Sequence, residues 1–430
     1  KKTRLKHRNS ANYLEKHRKE QTMILKNKLL INGLLAGVVL LGASITHAEV
    51  SFSESFDDQP DWNSGLPEMD KGGLSMGGGA RGGWDVNIAQ YAESHTLPIG
   101  WSLVRQTPSW SPSLGDPDRH ETIEISSTST AENPNRARGG TGKSFVTWRD
   151  SDASKGTNSF VSDGLLLKHY PAGFDQLYVE FWVNFSNETV ATYYNLDYKT
   201  ATTGLSKLFR IYHWDGTGNA FDYYNNNINP NMIWQFEGRP SSAGGYGFRN
   251  KVTLLTRRDR ASSDPIEDAR FLDSDGNYAK IPPTSYNSST RAPYGGVAFE
   301  DKRDGGFIDG GAVDVDQVFG DETAWTKVAF FVKMNSAPGA FDGTMIQWID
   351  DRKSMEINTV QWVSPSRDMV KWTTFGLGGN DSFNKYPDEL RYEEWYAMDD
   401  IKVSNKIPDG LLSDLNNTNR PNSPLNITIE

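Results

Sequence analysis

The chain has 430 residues, no cysteine, 40 glycines, 20 prolines and a formal charge of −10. An aromatic content of 12% is too rich for a disordered chain and supplies a sizeable core. The acidic balance excludes a protein held to nucleic acid by a general basic field. The missing cysteine excludes thiolate catalysis, thiolate metal sites and disulfide scaffolds.

Residues 1–22 are polar, have no apolar face and read as an upstream extension. From Met23 the chain carries Lys26 and Lys28, an apolar run from Leu29 to Ala43, and the small-residue ending Thr46-His47-Ala48. That order predicts a secretory signal peptide over 23–48. Its apolar run is shorter than the ~20 residues of a spanning helix, so an uncleaved N-terminal anchor is the alternative. Ten Lys/Arg and only two acids fall in residues 1–48, so the remainder is more acidic than the whole. The expectation is a secreted or periplasmic monomer, without a nucleic-acid partner and without a membrane partner after signal cleavage.

From residue 50 no convincing helix is seen. Short alternating segments recur between Gly, Pro, Asn and Asp, which predicts an all-β antiparallel sandwich occupying 49–405. Early in it, Asp57 and Asp58 of ESFDD pair with Asp400 of the last strand as candidate ligands for a structural calcium, with turn-capping as the alternative. TIEIS (122–126) and KSFVTWR (143–149) are predicted strands. The clearest strand is LYVEFWVNF, where Leu177, Val179, Phe181, Val183 and Phe185 form a core face. Tyr178, Glu180, Trp182 and Asn184 form the other. Its mixture of large aromatics, an acid and an amide is not that of an ordinary solvated face.

In KLFRIYHW (207–214), Lys207, Phe209, Ile211 and His213 share one parity; Leu208, Arg210, Tyr212 and Trp214 share the other. Arg210, Tyr212 and Trp214 resemble the Trp182 face in type, which places both sets in one cleft. His213 would join them only if a bulge before Asp215-Gly216 re-aimed it. NMIWQFEGR (231–239) sets Asn231, Ile233, Gln235, Glu237 and Arg239 opposite Met232, Trp234 and Phe236. Arg249, Lys251 and Arg257 form a local basic row suited to an anionic polymer.

Residues 258–324 are polar, acidic and glycine-rich, and are expected to form an ordered insertion near the cleft. Within it LDSDGNY (272–278) has Asp273, Asp275 and Gly276 in calcium-loop spacing. Thr284 stands where an EF-hand needs glutamate, so the stretch reads as a turn. Strands at 325–335, 344–350 and 395–404 follow. The Pro/Asn-rich residues 406–430 read as a linker or disordered tail.

Taken in series, FDQLYVEFWVNF, KLFRIYHWDG, WTKVAFFVKMNSAPGAFDGTMIQWIDDR, FGLGGNDSF and YEEWYAMDDIKVS resemble the concanavalin A-like jelly rolls, especially secreted polysaccharide lyases. The likeness spans about 50–405 and is strongest after 320. There Trp325, Asp342, Gly343, Trp348 and Asp400 are architectural positions. Of the alginate-lyase motif R-[ST]-E-x-R, RHETI (119–123) keeps only Arg119 and Glu121; Q-[IV]-H and Y-x-K-x-G-x-Y are missing. The β-glucanase E-x-D-x-E is also incomplete, because ETIEIS lacks the aspartate.

The resemblance implies cleavage of a uronate-containing polysaccharide by β-elimination. Such a site must neutralise a carboxylate, remove the C5 proton and protonate O4. The residues then suggest His213 or Tyr212 as base and Arg210 with Gln235 as carboxylate neutralisers. Trp182 and Trp214 are sugar platforms, with Glu180, Asn184, Lys207, Arg249 and Lys251 as further substrate contacts. His120 and Glu121 are further candidates. No cofactor is required beyond a structural calcium. The alternatives are a non-catalytic lectin-like module, or a glycoside hydrolase using Glu180 with Glu237.

Overall fold

Period-2 alternation of large apolar residues gives strands with one buried face, and two such faces close on each other. The computed structural model describes residues 50–64, 97–106, 123–149, 160–187, 203–217, 229–239, 247–257, 322–384 and 394–412, and the short pieces 189, 220, 270–272, 278–280 and 296–300. The signal-peptide segment, RHETI and the Asp273–Asp275 turn lie outside them.

Ten strands and an added partner form sheet A. Its order is β12 (Tyr278–Lys280), β11 (Arg270–Leu272), β16 (Arg352–Val360), β15 (Gly343–Ile349), β14 (Thr326–Lys333), β7 (Gln176–Phe185), β18 (Glu394–Ser404), β5 (Phe145–Arg149), β4 (Ile123–Ile125) and β2 (Trp62–Asn63), with β1 (Val50–Glu54) also paired to β18. Sheet B runs β13 (Gly296–Glu300), β10 (Gly247–Leu255), β9 (Asn231–Arg239), β8 (Thr203–Tyr212), β17 (Trp372–Asn384), β6 (Phe160–Phe174) and β3 (Leu103–Gln106). The pairs with printed register are antiparallel, for instance β7 with β14 and β8 with β17. The fold is an all-β jelly-roll sandwich.

The core between the sheets follows the alternation. Leu177, Val179, Phe181, Val183 and Phe185 of β7 are buried, and Phe181 meets Phe209 of β8 with ring centroids 4.8 Å apart. Phe209 stacks on Phe330 of β14 at 5.3 Å, and Trp234 of β9 lies 5.7 Å from the same ring. These contacts fix which side of each sheet is inner. At 20–33 cal/mol per Å² of buried apolar surface, side chains this large dominate the fold's stability.

Two expectations are corrected here, the absence of any helix and the linker directly after 405. A short helix, α1 (Ser127–Glu132), does form, because the Ser126 hydroxyl caps it by accepting from the Ser129 N–H at 3.2 Å. Within the 258–324 insertion, β11 and β12 extend sheet A, β13 extends sheet B, and the described residues 322–324 are turn and coil leading to β14. Residues 406–412 are not a linker. Ile407 and Leu411, in and beside α2 (Asp409–Leu412), pack on the outer side of sheet A against Tyr178, Phe331 and Trp348, where apolar burial outweighs the Pro and Asn composition. Among the described residues no helix is long and apolar enough to cross a membrane.

Candidate functional site

Because Phe209, Ile211, Met232, Trp234 and Phe375 point into the sandwich, the residues alternating with them point outward from sheet B. The strand register lines these up in rungs. Asn231, Tyr212, Thr374 and His169 lie directly opposite one another across β9, β8, β17 and β6. The next rung is Ile233, Arg210, Gly376 and Leu167. Beyond it Gln235 faces Lys207.

Lys207 reaches that face through a bulge. The β8–β9 register slips between Lys207 and Phe209, leaving Leu208 as the extra residue, so Lys207 no longer shares a side with Phe209 and Ile211. Gly376 matters for Arg210. A Cβ at 376 would come within 2.4 Å of Leu167 Cδ2 but a comfortable 3.6 Å from Arg210 Cγ, so the bare backbone makes room for the Leu167 side chain that packs beside the arginine. The centre of this face is enclosed: Arg210 is 1%, Tyr212 0%, Asn231 0% and Gln235 4% exposed. Trp214, Ala220, Leu103, Leu165 and Leu167 pack with Tyr212 there.

His169 was not singled out from the sequence. Its ring lies 4.7 Å from that of Trp214, and its Nδ1 is 3.0 Å from Thr374 Oγ1. Burial holds its pKa below the ordinary value, against the opposing pull of a Thr373 backbone hydrogen bond and the Asp215 charge. The signal was the alternation Leu165, Leu167, His169, but Gly164 and Pro171 interrupt the pattern on either side.

His213 does not turn to the Arg210 face. The register slip of β8 against β9 lies at 207–209, and His213 stands one residue past the end of β8. Instead its backbone N–H bonds Pro230 O at 2.9 Å, and Nδ1 donates to Lys371 O at 3.0 Å. Burial lowers its pKa; Arg257 and His169 add to this, while the Lys371 carbonyl and Asp215 oppose it. Trp214 is fixed too. Its indole N–H donates to Thr217 O at 3.0 Å, and its ring is spent on His169 rather than left open as a platform.

The expected single cleft does not exist. β7 belongs to sheet A and β8 to sheet B, so when Phe181 and Phe209 meet in the core their alternating neighbours leave in opposite directions. Glu180, Trp182 and Asn184 therefore lie on the outer face of sheet A, across the whole sandwich from Arg210. Glu180 accepts from the Tyr178 hydroxyl at 2.7 Å and from Lys402 at 3.2 Å, with Lys327 at 3.7 Å. Trp182 is covered by the Arg138 guanidinium, 4.0 Å from its ring. Asn184 ties three segments together, donating to Asn135 O and Glu322 O and accepting from the Phe185 N–H. The same separation removes the hydrolase pair, since Glu237 belongs to β9 of sheet B.

Asp58 is exposed in the turn after β1, whereas Asp400 is ion-paired to Arg138. The buried aspartate is Asp399, whose oxygens accept the N–H groups of Arg138 at 3.1 Å and Asp400 at 2.7 Å. Among the described residues no group of three or more His, Asp or Glu is placed to hold a metal ion. Arg249 and Lys251 lie on β10 opposite Glu237 and Gln235 in backbone register; their side chains are outside the described residues. His120 and Glu121 are outside them as well.

No family model and no curated protein matches the sequence. Solved structures align to the chain at low scores. An alginate lyase in complex with alginate tetrasaccharide aligns with TM-score 0.35 and 9% identity over 83% of this chain and 97% of that one. The marine PL-14 alginate lyase from Aplysia kurodai gives 0.35 and 9% over 66% and 86%. The Emp47p carbohydrate recognition domain gives 0.27 and 10% over 73% and 92%. Such scores add nothing to the sandwich that the strand pairing establishes by itself.

Proposed function

We propose that this exported protein binds an acidic, uronate-containing polysaccharide on the outer face of sheet B and cleaves it by β-elimination. The observation that carries the reading is the pair of adjacent rungs that bring Arg210, Tyr212, Asn231 and His169 to one face. In the reaction Arg210, with Gln235 beside Lys207, neutralises the uronate carboxylate and so acidifies C5. The neutral imidazole of His169 takes the C5 proton, a role suited to a histidine whose pKa is held down by burial. Electrons move into a C4–C5 double bond, the C4–O4 bond breaks, and the Tyr212 hydroxyl gives its proton to O4. Substrate must displace whatever covers Arg210 and Tyr212, and the half-buried His169 marks the accessible end of the rung.

That enclosure also favours a second reading, a lectin-like module that holds the polymer without turnover. The deciding experiment follows the ultraviolet absorbance of the C4–C5 double bond with alginate, glucuronan, pectate and glycosaminoglycans. A rise abolished by Tyr212→Phe and by His169→Gln, with saturable binding retained, supports the lyase. Saturable binding with a flat trace on every polymer overturns it in favour of the module.

A further inference from the structure

We infer that Asn231, together with Asn229, is a hydroxyl-reading element for a pyranose ring, placed beside Tyr212. Both asparagines are 0% exposed, and neither the amide nitrogen nor the amide oxygen of either has a hydrogen-bond partner among the described residues. Nearly all buried side-chain polar groups in folded proteins are bonded, so four orphaned atoms within three residues need a reason.

Three other buried amides are spent on contacts between segments. Asn184 makes three hydrogen bonds. Asn335 donates to Ala337 O and Val363 O and accepts from the Val363 N–H. Gln59 donates to Glu54 and Ile99 O and accepts from the Ile99 N–H. Those residues hold segments together, and Asn229 and Asn231 hold none among the described residues.

Their position is fixed all the same. Met232 and Trp234 anchor β9 in the core, which turns Asn231 outward, and Tyr212 stands directly opposite it in register. Pro230, between the two asparagines, accepts the His213 N–H at 2.9 Å.

The chemistry of an amide selects the ligand. Each side chain offers donors on Nδ2 and an acceptor on Oδ1. A carboxylate only accepts and would leave Oδ1 unmatched, while the neighbouring Arg210 already suits it. A hydroxyl both donates and accepts, so a vicinal pair on a sugar ring satisfies a pair of amides. The inference rests on the outer face of sheet B being the sugar-binding face, but not on cleavage.

The test uses the whole chain, with tetragalacturonate and its methyl ester as probes; the ester keeps the ring hydroxyls and removes the charge. Calorimetric binding and thermal unfolding are measured for wild type, Asn231→Leu and Asn229→Leu. The expected result is a melting temperature in Asn231→Leu no lower than wild type, with affinity for acid and ester reduced by the same factor, about tenfold or more. Unchanged affinity overturns the inference, as does a lowered melting temperature or failure to fold in both leucine variants, which would show that the amides are structurally bonded or hold a buried water. A loss confined to the acid, or a wild type that binds neither probe, overturns it too. Loss of the lyase reading registers separately, as wild-type binding without any absorbance rise.

Discussion

His169 Nδ1 lies 3.0 Å from Thr374 Oγ1, and Thr374 is the one residue separating His169 from Tyr212 across the sheet. The imidazole is thus built into the strand packing, and its ionisation is coupled to folding. Burial lowers the pKa of His169, and of His213, below the ordinary 6.5, so the unfolded chain binds their protons more readily. Stability from these groups is complete above pH 6.5 and is lost as pH falls below it, levelling off under the folded values. Urea unfolding between about pH 7 and about pH 5 carries this as a positive contribution to the slope, which Asp399 opposes and which the histidine variants separate from it. His169→Gln and His213→Gln should each leave a curve whose slope is less positive than that of wild type. Wild-type slopes in both variants would refute the coupling.

Asp399 works in the opposite sense. Burial raises its pKa to about 8, outweighing the two backbone N–H groups that favour the carboxylate; the charges of Asp400 and Asp57 add to the rise. A raised folded pKa means stability that is complete below the ordinary 3.8 and is lost as pH climbs through the folded value. Above pH 6.5 the histidine contribution is flat, so the fall towards pH 8 isolates this group. Asn is the isostere of the protonated acid, and Asp399→Asn should flatten that fall. A variant that declines as steeply as wild type would assign the slope elsewhere.

Gly379 of β17 lies against the backbone of Lys207 at the bulge. A Cβ on residue 379 would stand 2.0 Å from Lys207 O and 2.7 Å from its carbonyl carbon. These are backbone atoms of a paired strand and cannot rotate away. Gly379→Ala should therefore separate β17 from β8 and cost about 3 kcal/mol or more, at the upper end for overpacking. Chemical denaturation measures it; a loss under about 1 kcal/mol would mean that the strands part freely there.

The sequence made the strands legible where large residues alternate without interruption, as in β7, β9 and β14. It hid β17 and β6, because FGLGGNDSFN lacks apolar side chains at the crowded glycines and FVSDGLLLKHYPAGF is broken by Gly164 and Pro171. Period-2 alternation tells which residues of one strand share a side. It does not tell which sheet the strand joins. Trp182 and Arg210 were each correctly outward, yet from opposite sheets. Lys207 was misplaced for a different reason, since one extra residue in β8 reverses parity and leaves no trace in composition. Arg210, Tyr212 and Gln235 share a side by register, as alternation in two separate strands required.

The separation of the two outer faces has a direct consequence for Glu180. Glu180 is 8% exposed, and its carboxylate gathers Tyr178, Lys402 and Lys327 on sheet A, far from the rungs of sheet B. Removing its charge leaves Lys402 without this partner, although Lys327 keeps Asp351 at 2.7 Å. Glu180→Gln preserves shape and a weaker bond to Tyr178, so the expected loss is about 1–3 kcal/mol of stability. Polysaccharide binding should be unchanged, because the proposed function puts the polymer on sheet B. Gln235→Leu should do the reverse, weakening binding while the β9 core residues Met232 and Trp234 keep the strand in place. Equal loss of binding in both variants would move the polymer off sheet B and return the sheet A face to consideration.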